Sequence, residues 1–125
     1  MKQIFLVGVG GGLGAIARFR LGAWILHATP GWRFPIGTFC INVIGCGVAG
    51  ILTGLLESQE TSTADLRIFL FTGILGGFTT FSAFGVETVG LMRRGEPAVA
   101  LANVIFSVMA GVIALWLGLK IGSLR

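Results

Sequence analysis

The stretch Gly76-Gly77-Phe78-Thr79-Thr80-Phe81-Ser82-Ala83-Phe84-Gly85 lies within a long apolar segment and decides how that segment folds. Two adjacent glycines weaken a helix, and two β-branched threonines follow them at once. A segment that only crosses lipid would consist mainly of Leu, Ile, Val and Ala, whereas this one places three phenylalanines among small and hydroxyl-bearing residues. The composition therefore predicts a helix that is broken near residues 76–80 and presents polar groups and ring edges.

The rest of the chain is too apolar for a soluble protein. Of its 125 residues, 54% are hydrophobic and only 11% are charged, and the mean hydropathy is +0.94, whereas soluble domains carry about 25% charged residues. Uncharged runs at 36–56, 68–86 and 97–119 each reach the roughly 20 residues that a membrane-spanning helix needs. A fourth run, at 4–26, contains two arginines. These runs predict one all-α integral membrane domain over residues 1–125, with four transmembrane helices.

The N-terminal run has two alternative interpretations, and both fail. Lys2 before an apolar segment resembles a signal peptide, but no A-x-A-like cleavage site follows. Gly10, Gly12 and Ala15 match a dinucleotide-binding G-x-G-x-x-A, but the first acidic residue is Glu57 and no strand–helix alternation follows. Pairs of glycines four residues apart instead predict close helix packing. These pairs are Gly8/Gly12, Gly10/Gly14, Gly50/Gly54, Gly73/Gly77 and Gly118/Gly122.

The chain offers little material for catalysis or for a transition-metal site. Its one histidine, His27, lies near the end of the first span, and Cys40 and Cys46 are six residues apart, off a common helix face. No convincing Ser/His/Asp set occurs, and no P-loop lysine follows a glycine run. We therefore predict that the protein is not an enzyme. The net charge of +4 is explained by headgroup-facing anchors and requires no nucleic acid.

Positive charges are almost equally divided between the two ends of the predicted bundle. The end that holds the N-terminus, the loop near 57–67 and the C-terminus carries Lys2, Arg67, Lys120 and Arg125. The end that holds the loops near 27–35 and 93–96 carries Arg33, Arg93 and Arg94, with Arg18 and Arg20 nearby. An excess of Lys and Arg normally sets orientation. Four against five gives almost no bias, which favours insertion in both orientations and predicts an antiparallel dimer of identical chains.

Polar residues recur on three of the four spans. The second span carries a stripe of small and polar residues: Thr38, Asn42, Gly45 and Ala49. The fourth carries another: Asn103, Ser107 and Gly111. The third carries hydroxyls, rings and one acid: Thr80, Phe81, Ser82, Phe84 and Glu87. Each residue alone is explained by hydrogen bonds between helices, and Arg18 on the first span by snorkelling. Together, these expensive intramembrane groups predict a lined pathway.

The chemistry of these residues favours a small anion. Asn amides, hydroxyls and guanidinium groups donate hydrogen bonds, and an aromatic ring is positive at its edge. The broken helix has a second consequence, because unwound backbone exposes carbonyl oxygens that a cation, water or a neighbouring helix must satisfy. Two such breaks meeting at a two-fold axis would form an oxygen cage suited to a monovalent cation such as sodium.

Three blocks of sequence resemble the Fluc (CrcB-type) fluoride channel family. They are Gly-x-x-Gly-Ala-x-x-Arg at 11–18, Gly-Thr-Phe-x-x-Asn-x-x-Gly at 37–45, and Gly-Gly-Phe-Thr-Thr-Phe-Ser-x-Phe at 76–84. The third block is highly specific, and the resemblance covers essentially the whole chain. It implies an antiparallel, dual-topology homodimer in a prokaryotic inner membrane, with two pores that pass fluoride passively out of the cell.

The resemblance also implies roles for individual residues. Main-chain carbonyls of Gly76 and Thr79, from both subunits, would hold a structural sodium ion at the dimer centre. The fluoride path would contain the residues that match the family's pore, together with neighbouring hydroxyls: Asn42, Thr80, Phe81, Ser82, Phe84 and Ser107. Arg18 would lie in the vestibule, and Glu87 would be the supporting acid one turn after the second pore phenylalanine.

The sequence departs from the family pattern at two positions, and other assemblies and functions remain open. Ala83 stands where many relatives have Thr, and Gly111 stands where Ser is possible, so fewer hydroxyls line the predicted path. Some relatives are heterodimers of two homologues with fixed orientations, which the balanced charge disfavours. A small multidrug transporter is the runner-up, but it requires a carboxylate within the first span, and none is present. A third possibility is an assembly subunit that transports nothing.

Overall fold

The chain forms a bundle of long apolar helices. A computed structural model describes residues 1–57 and 64–124, and every regular element in this part of the chain is helical. Four stretches are long and apolar enough to cross a membrane: α1 (Lys2–Ala28), α2 (Ile36–Glu57), a third span (Ala64–Arg93) and α6 (Pro97–Gly122). The predicted all-α membrane class and its four spans are confirmed, and the protein is a multi-pass membrane protein.

The third span is interrupted within the predicted range 76–80, at the last two residues of that range. It consists of α3 (Ala64–Arg67), a π-helical segment (Ile68–Leu75), α4 (Gly76–Phe78) and α5 (Phe81–Arg93). The two glycines remain helical, and the chain becomes extended only at the threonines, with φ/ψ of −82°/157° at Thr79 and −151°/115° at Thr80. Glycine permits a break without requiring one, and the contacts made by the threonines determine its position.

The connections between spans are short. Residues 29–35 join α1 to α2, and residues 94–96 join α5 to α6, as predicted. The predicted loop at 57–67 is wrong for its last four residues, because α3 already begins at Ala64. Its central residues 58–63 lie outside the described residues, as does Arg125 of the charge analysis.

Glycine contacts hold the spans in two closely packed groups. A side chain at Gly14 or Gly77 would meet the backbone of the facing span, Ile74 in the first case and Gly11 in the second. Between α2 and α6, side chains would meet backbone at Gly50, Gly54, Gly118 and Gly122. The predicted glycine pairs thus pack α1 on the first half of the third span and α2 on α6, as small residues do within membranes. The pair Gly8/Gly12 is the exception, since it faces open space.

The single chain has a small buried core and an apolar exterior. Leu91, Ala100 and Ile41 retain 1%, 3% and 4% of their accessible surface. Large apolar side chains cover the outer faces of all four spans, with Phe19 and Val112 among the exposed examples. Such a surface requires lipid or a protein partner around it.

We expect Gly50→Ala to destabilise the protein. Its new methyl group would meet the carbonyl oxygen of Leu115 on α6, and overpacking costs about 1–3 kcal/mol, which outweighs the gain of up to about 1 kcal/mol in helix propensity. The matched control is Gly47→Ala on the same helix, where the nearest atom lies at an ordinary 3.9 Å, so stability should stay equal or rise. Thermal unfolding of the detergent-solubilised protein measures both, and equal midpoints for the two variants would contradict this packing.

Candidate functional site

One side chain of α2 bridges the break in the third span. Asn42 Nδ2 donates to the carbonyl oxygen of Thr80 at 3.1 Å, and the Thr80 amide donates to Asn42 Oδ1 at 2.9 Å. The Asn42 side-chain amide thereby supplies both hydrogen bonds that the backbone N–H and C=O of Thr80 would otherwise make in a helix or a sheet. Backbone groups at membrane depth must find such partners within the protein. The Asn42–Thr80 pair therefore explains why the chain can unwind here.

The same contacts free two backbone carbonyls. In a continuous helix the carbonyl of Gly76 would accept from the amide of Thr80, and that of Thr79 from the amide of Ala83. The Thr80 amide binds Asn42 instead, and the Ala83 amide donates to Thr80 Oγ1 at 3.2 Å. The two carbonyls predicted from the family resemblance to hold sodium are therefore among those that lose their regular helical partners.

Backbone oxygens are also the ligands that a hard cation could use here. Within residues 1–57 and 64–124, no group of three or more His, Cys, Asp or Glu side chains is placed to bind a metal ion. Hard cations bind carbonyl oxygens readily. Gly76 is exposed and Thr79 partly exposed at the surface of the single chain, so their carbonyls fit a cation shared with another molecule.

A cavity of about 270 Å³ lies directly beside the break. Its lining comes from α2, the third span and α6, and the residues are Asn42, Cys46, Thr79, Thr80, Phe81, Phe84, Ser107 and Val108. Five of the six residues predicted for an anion path are therefore brought together: Asn42, Thr80, Phe81, Phe84 and Ser107. None of the residues that line the cavity is acidic.

The two cavity phenylalanines lie close together on the first turn of α5. Their ring centroids are 5.5 Å apart and the ring planes are inclined by 35°. Phe84 is partly buried, whereas Phe81 is 84% exposed on the single chain. One side of this aromatic pair is therefore left uncovered by the rest of the chain.

Two predicted residues lie outside this cavity. The Ser82 hydroxyl is exposed and lies 3.2 Å from that of Thr80, so it extends the hydroxyl pair away from the cavity lining. Arg18 is partly exposed on α1, one turn beyond Gly14, which packs against the third span just before the break. It forms no ion pair or hydrogen bond with another described residue.

The predicted supporting acid has a partner on α2. Thr38 donates from its hydroxyl to Glu87 Oε1 at 2.6 Å, while Glu87 Oε2 is buried without a partner among the described residues. Thr38 precedes Asn42 by four residues, and Glu87 follows Phe84 by three, so this pair lies one helical turn beyond the cavity. Thr38, Asn42 and Gly45, three of the four residues in the predicted stripe of α2, contact the third span.

A hydrogen-bonded chain joins α6 to α5 behind the phenylalanines. Ser107 donates to Asn103 Oδ1 at 3.3 Å, Asn103 Nδ2 donates to Thr88 Oγ1 at 2.9 Å, and the Thr88 hydroxyl donates to the carbonyl of Phe84 at 2.8 Å. Asn103 is only 1% exposed. These three hydrogen bonds fix α5 against α6 and orient the Ser107 hydroxyl towards its own helix.

Sequence reasoning missed three contributors to the site. Cys46 and Val108 line the cavity, and Thr88 links Asn103 to Phe84. Cys46 lies four residues after Asn42, so helical spacing could have identified it as a neighbour of the predicted path, whereas Val108, adjacent to Ser107, has no such signal. Thr88 carries no comparable signal, because a threonine that binds its own helix backbone is common in apolar spans.

Comparison with known proteins gives a family and several relatives. The model of the family described as CrcB-like protein, Camphor Resistance (CrcB), matches residues 5–119. A protein of Methylobacillus flagellatus named fluoride-specific ion channel FluC is 46% identical over 97% of this chain and 94% of its own length. Proteins of the same name from Nitratidesulfovibrio vulgaris and Rhizobium meliloti are 41% and 38% identical, over 99% and 97% of this chain and 99% and 96% of their own lengths.

Proposed function

Because this chain belongs to the CrcB-like family, we propose that it is a fluoride-selective channel of a prokaryotic inner membrane. It passes fluoride down its gradient and catalyses no reaction. The names of its relatives, which cover nearly the whole chain at 38–46% identity, support fluoride as the permeant ion. The observation within the molecule that carries the proposal is the cavity beside the helix break, where neutral donors and aromatic rings meet without an acidic group.

The donors in this cavity suit a small, strongly hydrated anion. One Asn42 hydrogen is used by the Thr80 carbonyl, which leaves a second N–H on the same nitrogen. The Thr80 hydroxyl lines the same cavity, the Ser82 hydroxyl lies 3.2 Å from it just outside the lining, and the rings of Phe81 and Phe84 offer positive edges. These groups replace part of the hydration shell without fixed positive charge, so that binding remains weak enough for the ion to leave.

The proposed path follows from this arrangement. Fluoride reaches a vestibule whose potential Arg18 makes positive, loses part of its water against Asn42 and the hydroxyls, and passes the edges of Phe81 and Phe84. Ser107 lines the path from α6, and its hydroxyl would exchange its hydrogen bond to Asn103 Oδ1 for one to the ion. Glu87, bound to Thr38, supports the path at the end of the bundle that holds the loops 29–35 and 94–96.

A second copy of the chain completes the pore. Phe81 lines the cavity yet is 84% exposed, and a cavity with polar groups cannot stay open to lipid without cost. The almost equal distribution of Lys and Arg between the two ends favours an antiparallel partner. We therefore place two copies across a two-fold axis in the membrane plane, with each α5 covering part of the other chain's cavity.

Sodium at that axis is the second part of the proposal. The carbonyls of Gly76 and Thr79 lack their regular helical partners, and two copies would bring four such oxygens together. The ion would stabilise the broken spans electrostatically and would not be transported. When bound, it supplies a positive charge between the two breaks.

Replacing Phe81 by Ile should abolish fluoride efflux. The substitution keeps an apolar side chain but removes the ring that lines the cavity, so efflux from fluoride-loaded liposomes, measured with a fluoride electrode, should fall to the rate of protein-free liposomes. Phe5→Ile, at a phenylalanine that is 70% exposed near the start of α1, is the control and should conduct normally. Wild-type efflux from the Phe81 variant would rule out the assigned pore.

The assembly should be a sodium-stabilised dimer. Light scattering of the detergent-solubilised protein should give twice the 13.1 kDa mass of one chain. Replacing sodium by N-methylglucamine should lower the thermal midpoint, because a ligand at 100 times its Kd contributes about 2.7 kcal/mol. A monomeric mass would contradict the completed pore. A dimer with the same midpoint in both salts would contradict the sodium site alone.

A further inference from the structure

A second cavity, separate from the one beside the break, opens at the end of the bundle that holds the loops 29–35 and 94–96. Its volume is about 380 Å³. The last turns of α1, the 29–35 connection, the start of α2 and the end of α5 contribute to its walls, and the residues that matter here are Arg33, Thr38, Glu87 and Arg94. We call this space the basic antechamber.

Both arginines of the basic antechamber have free guanidinium groups. Neither Arg33 nor Arg94 forms an ion pair or a hydrogen bond with another described residue. The Arg94 side chain lies back along α5, with Nη1 only 3.6 Å from where a side chain on Gly90 would begin. Gly90 and Glu87 lie three residues apart on one face of α5, so Arg94 extends in the direction of the pore rather than away from the protein.

The antechamber reaches the Thr38–Glu87 hydrogen bond. Thr38 and Glu87 both line it, and their oxygens are 2.6 Å apart. One helical turn further along the same two helices lie Asn42 and Phe84, which line the cavity beside the break. The two cavities therefore follow one another along the groove between α2 and α5.

The size of the antechamber indicates whether an ion inside it would be hydrated. Since water in the liquid occupies about 30 Å³ per molecule, a volume of about 380 Å³ has room for roughly a dozen waters. An anion in this space keeps its hydration shell. Two guanidinium groups and one carboxylate give the walls a positive balance, and a cleft between low-dielectric helices focuses such a field.

We propose that Arg33 and Arg94 form an anion-collecting site that concentrates small hydrated anions, fluoride among them, ahead of the pore. The site sets how fast ions arrive and leaves their selection to the cavity beside the break. This inference rests on the proposed channel function. Arg33 and Arg94 differ in this role from Arg18, which lies on α1 and does not line the antechamber.

The alternative is that these arginines only anchor the bundle to lipid phosphates, as basic residues at helix ends do. Arg93 provides a matched control. It is adjacent to Arg94, equally positive and exposed, yet it does not line the antechamber. If the arginines only anchor the bundle, replacing Arg93 or Arg94 should change fluoride efflux to a similar extent. If they collect ions, of these two neighbours only the replacement of Arg94 should change it.

The test compares fluoride efflux at two ionic strengths. Liposomes of phosphatidylcholine, loaded with fluoride below saturation, would be assayed at about 10 mM and about 1 M potassium gluconate, osmotically balanced with sucrose, where the Debye length is about 30 Å and 3 Å. Wild-type efflux should fall about tenfold from low to high salt, the lower end of the range for focused fields. The double variant Arg33→Gln/Arg94→Gln should be about tenfold slower at low salt and almost insensitive to salt.

The controls separate charge from folding and from lipid anchoring. Arg93→Gln should match the wild type at both salt concentrations, and Arg33→Lys/Arg94→Lys, which keeps both charges, should retain the salt dependence. If the double Gln variant does not fold, each single Gln variant should show part of the loss.

Two results would overturn the inference. One is wild-type rate and salt dependence in the Gln variants, and the other is an equal loss in Arg93→Gln. A wild-type protein without any fluoride efflux would instead remove the proposed function, and this inference with it.

Discussion

The structure depends on the pair of hydrogen bonds between the Asn42 side chain and the backbone of Thr80. In lipid an extended residue within a helix leaves an amide and a carbonyl without partners, and each such group costs several kcal/mol. One amide side chain satisfies both. Because Asn42 satisfies the backbone of Thr80, a new helix, α5, can begin at Phe81 with Thr80 as its N-cap. The carbonyls of Gly76 and Thr79 then lose their helical partners. The cavity, the aromatic pair and the candidate cation ligands all lie within one turn of this contact.

Much of this architecture could be predicted from the sequence, because membrane burial leaves a strong compositional signal. Three uncharged runs and the apolar run at 4–26 identify all four spans, and the glycine pairs at Gly10/Gly14 and Gly50/Gly54 identify faces that do pack closely. The break was predicted to within residues 76–80, but the two residues that unwind could not be predicted, because they depend on a partner 38 residues away in the chain. The π-helical segment Ile68–Leu75 also has no sequence signature, since its residues are those of any apolar helix.

The candidate site was predicted more completely than its surroundings. Polar residues within an apolar span are few, so Asn42, Thr80 and Ser107 stand out in the sequence, and they meet in one cavity. Arg33 and Arg94 do not stand out in this way, because arginines at helix ends are common anchors. Only their position around one cavity distinguishes them from Arg93. Three-dimensional placement, not residue type, separates a functional charge from an anchoring one here.

The central claim is that the donors and ring edges beside the break carry fluoride and little else. The most direct measurement is the efflux of fluoride and of chloride from identically prepared liposomes that contain the wild-type chain, with valinomycin and potassium balancing the charge and an ion-selective electrode for each anion. We expect the fluoride gradient to collapse while chloride leaks at the rate of protein-free liposomes. Equal efflux of the two anions, or no efflux of either, would contradict the account.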